Sequence, residues 1–344
     1  MKNIFRHSVF FAVLLSMVAS SCADRADKSV PRSFRNEVVL KTTPVKDQGS
    51  SELCWAYAML ATIETERLEM GDSVNLSPDY LARLWLQDQA RACFLTRGRV
   101  GVSLRGMAPM ALRLIERYGM EPYDSYHPLG SISYRSLSRA AMQVARASRS
   151  LRMLDTRLGS MLDRQIGYLP PTLFMLGVGY TPQEFAQSVY VEGDYVALTS
   201  FTHHPFGTAF VMEAADNRML DTFYNIPIDR LMNTIVSSLR HGHPVCWEGD
   251  VSEPGFDFRR GCATLPDERH EPTQAERQWA FEQFQTTDDH CMELCGLARD
   301  ADGHLFFIAK NSWGTDNPYR GFMYLSYNYV RMKTIAIVVR NGEL

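Results

Sequence analysis

The stretch Asp47-Gln48-Gly49-Ser50-Ser51-Glu52-Leu53-Cys54-Trp55-Ala56-Tyr57-Ala58 decides how the rest of the chain is read. From Cys54 to Leu68 apolar residues recur at Ala58, Ala61, Ile63 and Leu68 among good helix formers, and the charged residues gather late. That pattern predicts a helix buried at its N-terminal end. Cys54 opens the helix, where the positive end of the dipole favours a thiolate. Gln48 stands six residues earlier, a distance from which its amide points back at the helix mouth. A thiol so placed needs a base, a group that orients the base, and donors for an oxyanion.

The chain offers each of these. His290 follows Asp288-Asp289 and precedes the apolar-leaning stretch Cys291 to Leu297. Asn311 lies in Lys310-Asn311-Ser312-Trp313-Gly314, at the end of the strand-like run Leu305 to Ala309. Two adjacent strands would then carry base and orienter, and Trp313 would cover their hydrogen bond from water. Gln48 and the Cys54 backbone N–H would hold the oxyanion. Alone, a Cys-Trp pair reads as core and Asn-Ser-Trp-Gly as a turn; their joint occurrence in this order argues for chemistry.

Organisation along the chain is uneven. Lys2 and Arg6 lead into the apolar run Val9 to Val18, which ends in Ala19-Ser20-Ser21-Cys22, so residues 1–22 read as a signal peptide. The small residues before Cys22 make it a candidate for lipidation, which predicts an exported protein, periplasmic or membrane-anchored through Cys22. Residues 23–37 read as a tether and 38–344 as one folded domain. Helices are expected at Ser77 to Gln89, with Ser77 and Pro78 as cap and first turn, and at Gly106 to Tyr118, closed by Gly119. A helical insertion is expected at about 130–190, including the run Ser136 to Leu162 and a short helix after Thr181. From Asp194 strand-like runs dominate: Tyr195 to Phe201, Pro244 to Trp247, His304 to Lys310, Phe322 to Tyr327 and Thr334 to Val339. Helices first and strands later predict an α+β protein of two lobes.

The composition, 45% hydrophobic and 22% charged, is that of a globular protein. A net charge of −3 without a basic stripe argues against nucleic acid as a partner. With Cys22 and Cys54 set aside, Cys93, Cys246, Cys262, Cys291 and Cys295 remain, an odd number without regular spacing that argues against a disulfide framework. His290, Cys291 and Cys295 lack a second Cys-x-x-Cys or His pair, so no metal is expected. His203 and His204, before Pro205, read as structural. No organic cofactor is implied.

Gln48, Cys54-Trp55, Asp289-His290 and Asn311-Ser312-Trp313-Gly314, in this order, resemble the papain-like cysteine peptidases. Ser200-Phe201-Thr202-His203-His204-Pro205-Phe206, Trp247-Glu248-Gly249-Asp250-Val251-Ser252 and Lys310 to Asp316 resemble their bleomycin hydrolase or aminopeptidase C branch. The resemblance spans about Val38 to Arg340. It implies a papain-like fold, a helical N-terminal and a β-rich C-terminal lobe with the site between them. It also implies peptide substrates, a Cys54-His290-Asn311 site with Gln48, and substrate contacts from Glu52, Trp55, Gly101, Val102, Asp289 and Trp313. His290 lies 236 residues after Cys54, against roughly 130 to 150 in the papain pattern, and the insertion accounts for the excess.

Two departures stand in the cleft. Glu52 and Leu53 replace the Gly and small or basic residue that usually precede the Cys, and Gly101-Val102 replaces a Gly-Gly that would bind extended substrate. The intact Gln48, Cys54, His290 and Asn311 favour an active thiol peptidase. Glu52 and Val102 favour a peptide-binding protein without turnover, and the triad Cys54, His290 and Asn311 would also serve an amidase or transferase acting on non-peptide amides. The branch implies aminopeptidase action; only five residues follow the run Thr334 to Val339, a short arm that leaves internal cleavage open.

Overall fold

The computed structural model describes residues 32–128, 130–175 and 177–342; the expected signal segment and Cys22 lie outside them. Strand β1 (Arg35–Val39) already pairs with the sheet, so the fold starts inside the expected tether. Helix α1 (Cys54–Glu69) begins at the predicted cysteine, and no side chain caps its first turn. In α2 (Pro78–Leu95) the Ser77 side chain accepts from Tyr80 N, the cap read from the sequence. Helix α3 (Ala108–Tyr118) stops at Gly119, whose φ of 84° suits glycine; a Cβ there would lie 2.2 Å from the Pro182 carbonyl.

The insertion resolves into several pieces. The run expected as one helical stretch is two helices, α4 (Tyr134–Ala147) and α5 (Leu151–Gln165), separated where Ser150 accepts from Met153 N and starts a new cap. A hairpin of β2 (Leu173–Met175) and β3 (Val178–Tyr180) leads to α6 (Pro182–Val189), which opens with a Thr181–Glu184 capping box. Leu137, Leu154, Leu158 and Phe185 share one core with Leu60, Leu81 and Leu114. The inserted helices are therefore built into the helical lobe.

The second half supplies β4 (Tyr195–Thr199), β5 (Ala209–Val211), β6 (Thr222–Asn225), α7 (Ile228–Arg240), β7 (Val245–Gly249), β8 (Phe256–Asp257) and β9 (Cys262–Ala263). These are followed by α8 (Gln274–Glu282), β10 (His290–Arg299), β11 (Leu305–Lys310), β12 (Phe322–Ser326), α9 (Tyr327–Lys333) and β13 (Thr334–Arg340). The strands form a sheet in the order β5-β6-β4-β13-β7-β10-β11-β12-β9-β8. Strand β10 is its organiser. Residues His290 to Leu294 pair with β7, and Gly296 to Arg299 with β1. Gly296 is required at that switch, since a Cβ would sit 2.4 Å from Val38 O.

Leu231, Ile235, Trp247, Leu294, Phe307 and Ile337 form the core of the β lobe. Between the two cores runs α1, buried from Trp55 to Glu66 rather than only at its start. Glu64 and Glu66 are enclosed because each is paired. Glu64 accepts from Thr43, from Lys46 Nζ at 2.6 Å and from Leu76 N at 2.6 Å. Glu66 receives Arg340 and, at 2.9 Å, His243. Among the described residues no helix is long and apolar enough to cross a membrane.

Candidate active site

The first turn of α1, the start of β10 and the residue after β11 place Cys54, His290 and Asn311 together. His290 Nε2 lies 2.8 Å from Asn311 Oδ1, and both residues are buried. Ser312 N donates to the same Oδ1 at 2.7 Å, which fixes which end of the amide faces the ring. Nε2 therefore carries the hydrogen and donates it, and Nδ1 is the nitrogen left to exchange a proton. The Cys54 thiol is held well below the ordinary thiol range by a hydrogen bond from Cys291 and by the hydrogen bond and charge of His290, against the opposing effect of burial. Cys291 stays protonated, because burial pushes it well up and the Cys54 charge adds to this.

Gln48 sits where its amide is held from three sides. Its backbone N–H donates to Ser312 O at 2.8 Å, Ser312 Oγ donates to Gln48 Oε1 at 2.6 Å, and Gln48 Nε2 donates to Ser51 O at 2.8 Å. One Nε2 hydrogen remains for a ligand. Trp313 lies over His290 with ring centroids 4.6 Å apart and is itself flanked edge-on by Phe256 and Phe258. This aromatic cover keeps water from one face of the imidazole.

A cleft of about 530 Å³ opens over these residues, with Glu52, Asp289 and Trp313 in its walls. Three of the expected substrate contacts do not reach it. Trp55 is fully buried and donates from Nε1 to Leu104 O at 2.8 Å, so it fixes the loop before α3 from below. Gly101 and Val102 lie off the cleft, Val102 packing against the helical core. The loop residues that line it are Arg105 and Gly106, closer to α3. Gly106 lies so near Trp55 and Met110 that a Cβ would fall 1.9 Å from Met110 Cε. A glycine just before a helix, five residues after Gly101, was the available signal. Arg135 from α4, Asp216 and Asp288 also line the cleft.

His203, His204 and Glu213 approach one another closely enough to suggest an ion site. Thr202 N donates to Gln278 Oε1 at 2.6 Å, so Gln278 Nε2 faces His203 Nδ1 at 3.0 Å. Nδ1 thus accepts, and the hydrogen on Nε2 points at Glu213, 3.3 Å away. No lone pair is left on that nitrogen for a metal.

The α+β fold and this site have the arrangement expected of the papain-like cysteine peptidases. A family model described as Peptidase C1-like family matches residues 174–344. The chain is similar to aminopeptidase G of Lactobacillus delbrueckii subsp. lactis, 23% identical over 393 residues that cover 95% of this chain and 87% of that protein. In fold it is similar to the crystal structure of PepW from Lactobacillus rhamnosis, with a TM-score of 0.72 at 17% identity, over 92% of this chain and 84% of that one. The chain is a cysteine-type peptidase.

Proposed function

We propose that the protein is an exported aminopeptidase of the bleomycin hydrolase or aminopeptidase C type, acting on peptides through Cys54, His290, Asn311 and Gln48. The observation that carries this reading is the hydrogen-bonded His290–Asn311 pair beside a thiol whose pKa is depressed at a helix N-terminus. The Cys54 thiolate attacks the scissile carbonyl, and Gln48 Nε2 with the Cys54 N–H receives the oxyanion. His290 then gives its Nδ1 proton to the leaving amine. Water, activated by the same nitrogen, hydrolyses the thioester and restores the thiolate. Asn311 keeps the imidazole in the one tautomer and orientation that serve both steps.

Aminopeptidase action is supported by the likeness to aminopeptidase G, and export by Lys2, Arg6 and the apolar run that ends before Cys22. Lipid attachment at Cys22 would tether the enzyme to a membrane. Replacement of Cys54 by Ala should lower turnover of a peptide library more than about a thousandfold without loss of fold. Turnover near the wild-type rate in that variant would remove Cys54 from the mechanism. Fatty-acid labelling that persists in Cys22→Ser would refute the anchor.

A further inference from the structure

Four carboxyl groups line the cleft. Glu52, Asp216, Asp288 and Asp289 line it, against Arg105 and Arg135. Arg105 Nε is held by Asp216 Oδ2 at 2.8 Å. Asp289 accepts from Val251 N at 2.9 Å. Asp288 has no such donor at Oδ2. Behind it stands Glu248, brought there by sheet register: in the β7–β10 pair it lies opposite Cys291, the residue whose thiol donates to Cys54.

Glu248 is only 1% exposed. Its Oε2 accepts from Ala108 N, at the first residue of α3, over 3.3 Å, and its Oε1 has no donor. The two carboxyl groups interact directly, and burial, then mutual repulsion for Glu248, pushes Glu248 well up and Asp288 up to about 7. Two acids with one donor between them hold a proton where a cation is missing. A substrate nitrogen bearing charge would take that place and form charge-assisted hydrogen bonds in a partly enclosed site.

We propose that Asp288, which lines the cleft with Glu248 buried behind it, forms a cation-selecting subsite beside Cys54, which receives a positively charged nitrogen of the substrate next to the residue whose bond is cut. This rests on Cys54 being the nucleophile. The nitrogen has two sources in a peptide: the α-ammonium of a free N-terminus, which makes the enzyme release single residues, or the side chain of Lys or Arg in the second residue before the scissile bond.

Four fluorogenic amides separate the sources: Met-amide and acetyl-Met-amide for the terminus, acetyl-Lys-Met-amide and acetyl-Leu-Met-amide for the side chain. The wild type should prefer the cationic member of at least one pair by roughly tenfold or more in kcat/KM, a ratio of the size expected for one charge-assisted contact, and that pair names the source. In Asp288→Asn and in the near-isosteric Glu248→Gln the ratio should fall toward one. Asp288→Asn, at the partly exposed position, keeps the test open should Glu248→Gln fail to fold. Equal rates within both pairs in the wild type, or a preference that survives both substitutions, would overturn the subsite. Alkylation of Cys54 in the same preparations keeps the two ideas apart: an unreactive Cys54 with no turnover of any amide contradicts the nucleophile, whereas a reactive Cys54 with uniform rates contradicts the subsite alone.

Discussion

His290 donates from Nε2 to Asn311 Oδ1 over 2.8 Å, and the same oxygen accepts the Ser312 N–H at 2.7 Å. The backbone thus orients the amide, and the amide orients the ring. Replacing Asn311 with Ala should lower kcat roughly ten- to a hundredfold while KM changes little, because the ring loses its tautomer lock and not a substrate contact. Steady-state kinetics on one peptide amide checks this. A change confined to KM would make Asn311 a binding residue.

Gln48 is held by Ser312 Oγ at its oxygen and by Ser51 O at its nitrogen. Gln48→Ala should cost roughly a hundredfold in kcat, as for loss of one oxyanion donor. Ser312→Ala should cost less, since it loosens the amide without removing it. Equal losses in the two variants would show that the Ser312 hydroxyl acts on the substrate itself.

Beneath the site, burial pushes Glu293 up to about 7 in spite of Lys310, whose Nζ lies 3.7 Å away, and Thr65; Glu64 and Lys46 also act on it. Its ordinary value is 4.5. At pH values below the ordinary one the acid is protonated in both folded and unfolded chains and costs nothing. As pH rises from 4.5 to about 7 the unfolded chain ionises while the folded acid stays protonated, and the fold loses up to roughly 3 kcal/mol. Glu293→Gln should therefore match the wild type in thermal midpoint near pH 4.5 and exceed it near pH 8.5. A lower midpoint at pH 8.5 would mean that the contact with Lys310 outweighs the burial.

Gly296 marks where β10 passes from β7 to β1. Gly296→Ala would press a methyl group against Val38 O and, at 3.0 Å, Ile308 Cδ1. Overpacking of this kind costs about 1 to 3 kcal/mol, visible as a lower denaturation midpoint. An unchanged midpoint would show that β1 contributes little to the fold.

Much of this architecture is legible in the sequence because its signals are local. Ser77 and Pro78 announce α2, Thr181 and Glu184 announce α6, and Cys54, His290 and Asn311 each sit at the end of a regular element. The register of two strands is not a local signal, so nothing in the chain near Glu248 says that it faces Cys291. Asp216 reaches the cleft from an irregular loop and Arg135 from an inserted helix, contacts set by tertiary packing alone. The burial of Glu64 and Glu66 escaped periodicity for a related reason: their partners Lys46 and Arg340 come from distant segments.

The Cys291 thiol and His290 together keep Cys54 as a thiolate. Of the six described cysteines Cys93, Cys246, Cys291 and Cys295 are buried, so alkylation read by peptide mass reports chiefly on Cys54, with Cys262 resolved by its own peptide. The rate of Cys54 alkylation by iodoacetamide, followed from pH 4 to 10, should already be high near pH 6, where a free thiol of pKa about 8.5 is more than about 99% protonated. His290→Ala should move the rise toward the ordinary thiol range. A wild-type profile that rises only near pH 8 to 9, unmoved by His290→Ala, would contradict the account.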